Sequence, residues 1–321
     1  MRTYTQGIKM HKIVGHHHAK KKLINHLSLQ SWLIRGKKGI GKATLVEAFS
    51  TWFLIKHSRF ISQLSENALF MHQEVTDINI MQKYNKKEES LLNHISAEIA
   101  IDLHVIQGTT IGVDKIRNMR KFLYFRSIQS EYKIAIIDSL EAMTENAKNA
   151  ILKILEEPPQ YSKIFIISHK ICDIYTAIHC RCFHLNLLPL TDNETRIIVS
   201  SYCNFDDKIF NQMITIFPGM PGVIIKILNN NTYEIYKDFY HLLHNINNAD
   251  IMTQIINSDI ELELASYIIQ RHILSNIKSS TQNSVLLLHH WKKIERLFTI
   301  AQRYHLDKKH VLANVVNIMT S

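Results

Sequence analysis

Short apolar runs separated by stretches of helical spacing organise the first half of the chain. Ser31–Arg35 (SWLIR), 102–106 (DLHVI), 133–138 (KIAIID) and 163–168 (KIFIIS) have the length and composition of buried strands, and 182–187 (CFHLNL) offers a fifth. Helices are predicted between them. Residues 44–56 follow a glycine-rich turn. Residues 145–157 place Ala147, Ala150, Ile151, Ile154 and Leu155 on one stripe, and Pro158-Pro159 ends that helix because proline lacks an N–H and clashes with the preceding turn. Strands alternating with helices predict a parallel sheet whose ligands gather at the carboxyl ends of the strands.

Residues 57–100 break this alternation. They are polar, helical in flavour and free of glycine and proline, with the charged run Lys86-Lys87-Glu88-Glu89, and are read as an insertion with a partly mobile tip. Past Leu187-Leu188-Pro189-Leu190 the strand signals fade. A helix over 191–203 opens with Thr191 or Asp192 as cap and Glu194 behind it, and Pro218-Gly219-Met220-Pro221-Gly222 reads as a turn before a short helix. From Tyr233 onward the pattern is helical. Leu287, Trp291, Ile294, Phe298 and Ala301 form a bundle-type stripe, read as core and not as a cofactor box, and Asp307 caps a last helix carrying Leu312, Val315, Val316 and Met319. The fold class is therefore α/β plus all-α: a parallel-sheet domain over 1–189, a small helical domain over 190–232 and a larger helical domain over 233–321.

Composition narrows the classes. With 321 residues, 46% of them hydrophobic, two or three domains with a sizeable core are expected and global disorder is excluded. The formal net charge of +10 favours an anionic partner, most simply nucleic acid, against the plainer reading of a residue usage rich in Lys, Asn and Ile. Cys172, Cys180, Cys182 and Cys203 are too few and too clustered for a disulfide scaffold, which fits a reducing cytoplasm. No apolar run approaches the ~18 residues of a membrane span. The opening MRTYTQGIKMHK lacks the apolar core of a signal peptide, and Met10 offers an alternative start.

The candidate chemistry begins at Gly36. GKKGIGKAT (36–44) has the frame G-x-x-x-x-G-K-[ST] of a phosphate-binding loop, between a strand and a helix as that motif requires. Gly36, Gly39 and Gly41 let backbone amides turn inward, Lys42 reaches toward phosphates, and the helix N-terminus adds its dipole. The magnesium ligand is missing: Ala43 stands where a hydroxyl belongs, and Thr44 comes one residue late. Asp138 ends its strand where a metal-binding aspartate belongs, but Ser139 replaces the acid that would polarise an attacking water. Glu141, two residues on, faces elsewhere if the strand continues. The loop either holds ATP or ADP without hydrolysis or survives for its shape alone. Arg181, between Cys180 and Cys182, is expected on a different surface. The two cysteines share a face if the run is a strand, with Cys172, His179 and His184 nearby. Their spacing does not match zinc pairs, so buried structural thiols are expected and no zinc. His16-His17-His18 opens a Lys-rich helix and is read as a solvated face.

TTIGVDKIR (109–117), IIDSLEAMTENAKNAILKILEEPP (136–159), the CRC at 180–182 and the LLPL at 187–190 together resemble the AAA+ clamp-loader family of bacterial DNA polymerase III, most closely its delta-prime branch. IVGHHHAKKKLINHL (13–27) and YHLDKKHVLANVV (304–316) extend the likeness over nearly the whole chain. The resemblance implies an AAA+ sheet domain, a helical lid and a helical collar that joins five subunits in a ring. It implies a rigid, non-hydrolysing subunit that acts with gamma/tau ATPase subunits and delta to load the sliding clamp onto primed DNA. It also implies that Arg181 acts in trans, as a finger on a neighbour's nucleotide. Three features depart from the family: Cys180 stands for a serine, Val223 for the lid's sensor arginine, and no cysteine between the loop helix and the next strand is present to build the zinc module many delta-prime chains carry. Lys148 is a candidate DNA contact by analogy only. Two rivals remain: a divergent AAA+ ATPase in which Thr44 rescues the metal, and a stand-alone DNA-binding adaptor with salt-sensitive affinity.

Overall fold

The structure is a computed structural model and describes residues 13–58, 100–169, 175–243, 249–279, 284–304 and 306–320. The expected insertion over 57–100 lies almost wholly outside the described residues, as do Cys172 and the first twelve residues. The chain forms two compact units: Met1–Ile198 with Gly219–Gly222, and Val199–Pro218 with Val223–Ser321.

The first unit is built on a parallel sheet. In chain order it comprises α1 (His17–Asn25), β1 (Ser31–Arg35), α2 (Lys42–Lys56), β2 (Leu103–Gln107), α3 (Val113–Tyr124), β3 (Lys133–Asp138), α4 (Glu145–Glu156), β4 (Ser162–Ser168), α5 (Thr176–His179) and β5 (Phe183–Asn186). The strand order is β2-β3-β4-β1-β5, and every pairing is parallel. Ser31 aligns with Ile164 and Arg35 with Asn186, so all carboxyl strand ends fall on one edge of the unit.

Alternation along the strands sorts the two faces. Leu33, Ala135, Ile137, Ile164 and Ile166 join Ile116, Met119 and Leu123 of α3 and Ile151, Ile154 and Leu155 of α4 in one core. On the other face Phe49 of α2 meets Phe165 edge-on at 5.8 Å between ring centroids. Helices thus cover both faces, which is why the strands carry near-continuous apolar runs.

Several expected boundaries move. The strand read at 102–106 runs over Leu103–Gln107, because Asp102 belongs to a short 3-10 turn and is completely buried. Its carboxylate accepts from the backbone N–H groups of Ile128 (2.9 Å), Gln129 (2.7 Å) and Ser130 (2.8 Å). The loop helix starts at Lys42, two residues before its expected start. α4 agrees with its stripe: Thr144 caps it by accepting from the Ala147 N–H at 3.2 Å.

Lys163 is a buried cation of this unit, 2% exposed at the start of β4. Its Nζ donates to the carbonyls of Leu27 and Leu29 just past α1 and lies 4.6 Å from the centroid of Phe53. Burial pulls its pKa from the ordinary 10.5 down to about 8. The folded chain therefore releases this proton before the unfolded chain does. Below about 8 both states hold the proton; between about 8 and 10.5 the unfolded state binds more, so this group makes stability rise with pH, by at most about 1.4 kcal/mol per pH unit. Denaturant unfolding of the wild type and of Lys163→Met at pH 8 and pH 10 is expected to show a rise in the wild type that the variant lacks; parallel pH profiles would exclude the effect.

The second unit is helical. The chain passes through α6 (Asp192–Tyr202) and continues as α7 (Asp207–Ile216), α8 (Pro221–Asn229), α9 (Tyr233–Leu243), α10 (Ala249–Asn257), α11 (Leu262–Ser279), α12 (Ser284–Tyr304) and α13 (Lys308–Thr320). Thr191 and Glu194 form a reciprocal cap on α6: the Thr191 N–H donates to the Glu194 carboxylate at 2.9 Å, and the Glu194 N–H donates to Thr191 Oγ1 at 3.3 Å. The turn expected over 218–222 is shorter than its sequence, because Pro221 takes the first position of α8, where its missing N–H costs nothing. Gly219 carries the turn at φ +67, and a Cβ there would lie 2.5 Å from the Leu190 carbonyl oxygen. Ile294, Phe298 and Ala301 of α12 are buried as their stripe predicts, while Leu287 and Trp291 are half-buried. Asp307 caps α13 by accepting from the His310 N–H at 3.2 Å. Among the described residues no helix is long and apolar enough to cross a membrane.

Candidate functional site

The loop at 36–41 leaves the carboxyl end of β1 and feeds α2. Gly39 and Gly41 take positive φ of 80 and 97, a region L side chains rarely adopt. Gly36 has a steric reason as well: a Cβ would sit 2.8 Å from the Leu187 carbonyl oxygen. Lys42 is only 3% exposed and turns back into the loop, its Nζ donating to the carbonyls of Gly36 (2.7 Å) and Lys37 (2.6 Å). Two further donors meet the loop from distant segments. The His16 Nε2–H donates to the Ile40 carbonyl at 2.7 Å, and the Gly222 N–H donates to the Gly39 carbonyl at 2.8 Å. A Cβ on Gly222 would lie 3.0 Å from that same oxygen.

His16 corrects an expectation. His17 and His18 are exposed, but His16 is half-buried against the loop, and its desolvation lowers its pKa. Sequence reading also missed Gly222, which it placed in a turn. The only signal for either was proximity in the fold. The loop retains its glycine turn and the N-terminus of α2, but the Ala43 side chain supplies no oxygen for magnesium and Thr44, half-buried, is one position late. The glycine turn and the helix N-terminus suit an anion, but the Lys42 ammonium is turned onto the loop's own carbonyls, and Ala43 and Thr44 do not suit a metal.

The second expected acid is closer to the strand ends than its spacing implied. β3 stops at Asp138, and a 3-10 turn over Leu140–Ala142 brings Glu141 back. Glu141 Oε1 accepts from Ser168 Oγ at 2.6 Å and from the His169 N–H at 2.9 Å. His169 Nε2 lies 3.7 Å from Asp138 Oδ1. Glu141 therefore does not face elsewhere: the carboxyl ends of β3 and β4 gather Asp138, Glu141, Ser168 and His169.

Arg181 is elsewhere. It follows the short α5 and precedes β5, at the amino end of the sheet, whereas Gly36 and Asp138 mark carboxyl ends. With Trp32 level with Phe183 and Arg35 level with Asn186, the length of these strands, about 3.3 Å per residue, separates the arginine from the loop. Its guanidinium is held from two sides: Nε donates to Glu156 Oε1 at 2.9 Å, Nη2 to the same oxygen, and Nη1 to the Ala177 carbonyl at 2.9 Å.

The flanking cysteines correct another expectation. Neither is on a strand, since β5 starts at Phe183, and they differ in environment. Cys180 is exposed; Cys182 is half-buried, and desolvation pushes its thiol up to about 12. Among the described residues no group of three His, Cys, Asp or Glu side chains is placed to hold a metal. Lys148 pairs with Glu145 at 2.8 Å and lies 5.7 Å from the Tyr175 ring centroid.

A family model described as DNA polymerase III, delta subunit, matches residues 15–191, more than half of the chain. The chain belongs to the DNA polymerase III clamp-loader family. Clamp-loader relatives from Buchnera aphidicola match it at similar depth. A DNA polymerase III subunit gamma of subspecies Schizaphis graminum is 25% identical over 61% of this chain, and a subunit delta' of the same subspecies is 26% identical over 78% of this chain and 70% of its own length. The chain spans about half (51%) of the length of that gamma relative. Among solved structures, a gamma subunit-related protein from Thermotoga maritima covers 95% of this chain and 98% of its own, at 17% identity and a TM-score of 0.41.

Proposed function

We propose that this chain is a delta-prime-type, non-hydrolysing subunit of a clamp loader that gives Arg181 to the nucleotide of a neighbouring ATPase subunit. In this reading 1–189 is the AAA+ domain, 190–232 the lid and 233–321 the collar. Its partners are gamma/tau ATPase subunits and delta, and the ring loads a sliding clamp onto primed DNA in the cytoplasm. The observation that carries the reading is the separation of the two candidate sites: the loop with Ala43, and Asp138 with Ser139, stand at one edge of the sheet, and Arg181 stands at the other. An arginine so placed cannot serve its own loop, yet it lies half-exposed where a second subunit can reach it. Lys42 supports the same reading, since its ammonium is engaged by the loop's own carbonyls.

A second reading, an ATPase in its own right, draws on Glu141, whose carboxylate returns to the strand ends where an acid for water activation would be needed. Steady-state ATP hydrolysis separates the two. The purified chain with magnesium and primed DNA is expected to be silent, and turnover is expected only once partner ATPase subunits are added. Turnover by the chain alone, abolished by Lys42→Ala, would establish the second reading.

A further inference from the structure

We propose that Glu156 is the positioning residue for Arg181, and that it holds the guanidinium in the orientation used on a neighbour's phosphates. This rests on the reading of Arg181 as a trans-acting group and adds the residue that makes it rigid.

Glu156 is a charge on the wrong end of its helix, the last residue of α4. A helix C-terminus carries partial negative charge, so a carboxylate there is disfavoured and a cation is favoured. Glu156 becomes tolerable if a cation is fixed beside it, and Arg181 is that cation: both Nε and Nη2 donate to Glu156 Oε1. Nη1 adds a bond to the carbonyl of Ala177 in α5, a helix of four residues whose end carbonyls lack partners within it. One guanidinium therefore bonds the last side chain of α4 and a backbone carbonyl of α5 at once.

A guanidinium has five N–H groups. Three are engaged by Glu156 and Ala177, which leaves one on each terminal nitrogen. Those two N–H groups remain to donate to phosphate oxygens, with which arginine makes charge-assisted hydrogen bonds. A free arginine side chain has about 2 kcal/mol of rotamer entropy to lose before it can act, and a group already fixed by its own subunit has lost it beforehand. Glu156 is half-exposed, as is Arg181, so the pair contributes little to folding while still setting direction. The acceptor geometry, and not the negative charge, is what the role requires. A competing role is a mask, in which Glu156 must be displaced before Arg181 can act. The two roles predict opposite signs.

The test uses the assembled clamp loader and single-turnover hydrolysis at saturating ATP, with the phase that slows in Arg181→Ala taken as the site facing the arginine. Glu156→Ala is expected to slow that phase between about tenfold and a hundredfold, with half-saturating ATP and complex assembly unchanged. Glu156→Gln keeps a carbonyl acceptor for Nε and Nη2 and is expected within twofold of wild type. In an Arg181→Ala background, Glu156→Ala is expected to change nothing further. If Glu156→Ala does not enter the complex, Glu156→Asp, shorter by one methylene, is read the same way: a slower phase at unchanged half-saturation supports the role. Wild-type or faster hydrolysis in Glu156→Ala, or in the aspartate variant, overturns the inference while leaving the trans-acting arginine intact. If Arg181→Ala slows no phase, both fall together.

Discussion

Arg181→Ala is expected to slow ATP hydrolysis at one site of the assembled clamp loader by on the order of 10³, without loss of folding or assembly. A transferring phosphoryl group spreads negative charge over its equatorial oxygens, and an arginine supplied from a neighbour stabilises that charge where it develops. Total turnover falls only by the share of the affected site, so the effect is read in single-turnover phases and not in the summed rate. Folding is spared because alanine removes only a half-exposed ion pair with Glu156 and one hydrogen bond to a backbone carbonyl, and pairs of that kind contribute at most about 1 kcal/mol. Arg181→Lys keeps the charge but loses the planar fork, and an intermediate rate is expected. An Arg181→Ala complex that hydrolyses at the wild-type rate in every phase would remove the proposed function.

Asp102→Ala is expected to destabilise the sheet unit by about 3 kcal/mol, a fall in melting temperature of roughly 6–12 °C. Asp102 is completely buried, and three consecutive backbone N–H groups, of Ile128, Gln129 and Ser130, converge on its carboxylate. Alanine leaves all three without their acceptor. Ser130 is itself fully buried, so water cannot replace the carboxylate there without opening the turn. A second charge feels the loss. Burial lowers the pKa of Lys133 at the start of β3, and the negative charge of Asp102 opposes that shift. Asp102→Asn keeps one oxygen and is expected to lose less. Thermal unfolding of the two variants checks this, and an alanine variant melting within 2 °C of wild type would show that the carboxylate is dispensable.

Regular elements were the most legible part of this molecule. Strands buried on both faces must be apolar throughout, so KIAIID and SWLIR announced β3 and β1 to the residue. The stripe of α4 was equally direct, since Ala147, Ile151, Ile154 and Leu155 have one face to bury and two prolines behind them. Elements whose limits depend on a partner were less legible. Asp102 looked like the first residue of a strand because nothing local marks a carboxylate that will bind a turn some 26 residues later. Cys180 and Cys182 looked like strand neighbours because β5 is only four residues long and starts after them.

The chemistry divides in the same way. From its sequence alone, this chain carries a phosphate-loop frame without its magnesium hydroxyl, an aspartate followed by serine in place of an acid, and an arginine between two cysteines; these are properties of residue type and order, and no folding can add a side-chain hydroxyl to Ala43. Only the tertiary structure decided where the side chains turn. It returned Glu141 to the ends of β3 and β4, laid His16 and Gly222 on the carbonyls of the loop, and set Arg181 on Glu156 at the opposite edge of the sheet. Each of these joins residues from separate segments. Local spacing constrains neighbours along a helix or strand, whereas contacts between segments follow from strand order and helix packing, which no short window of sequence contains.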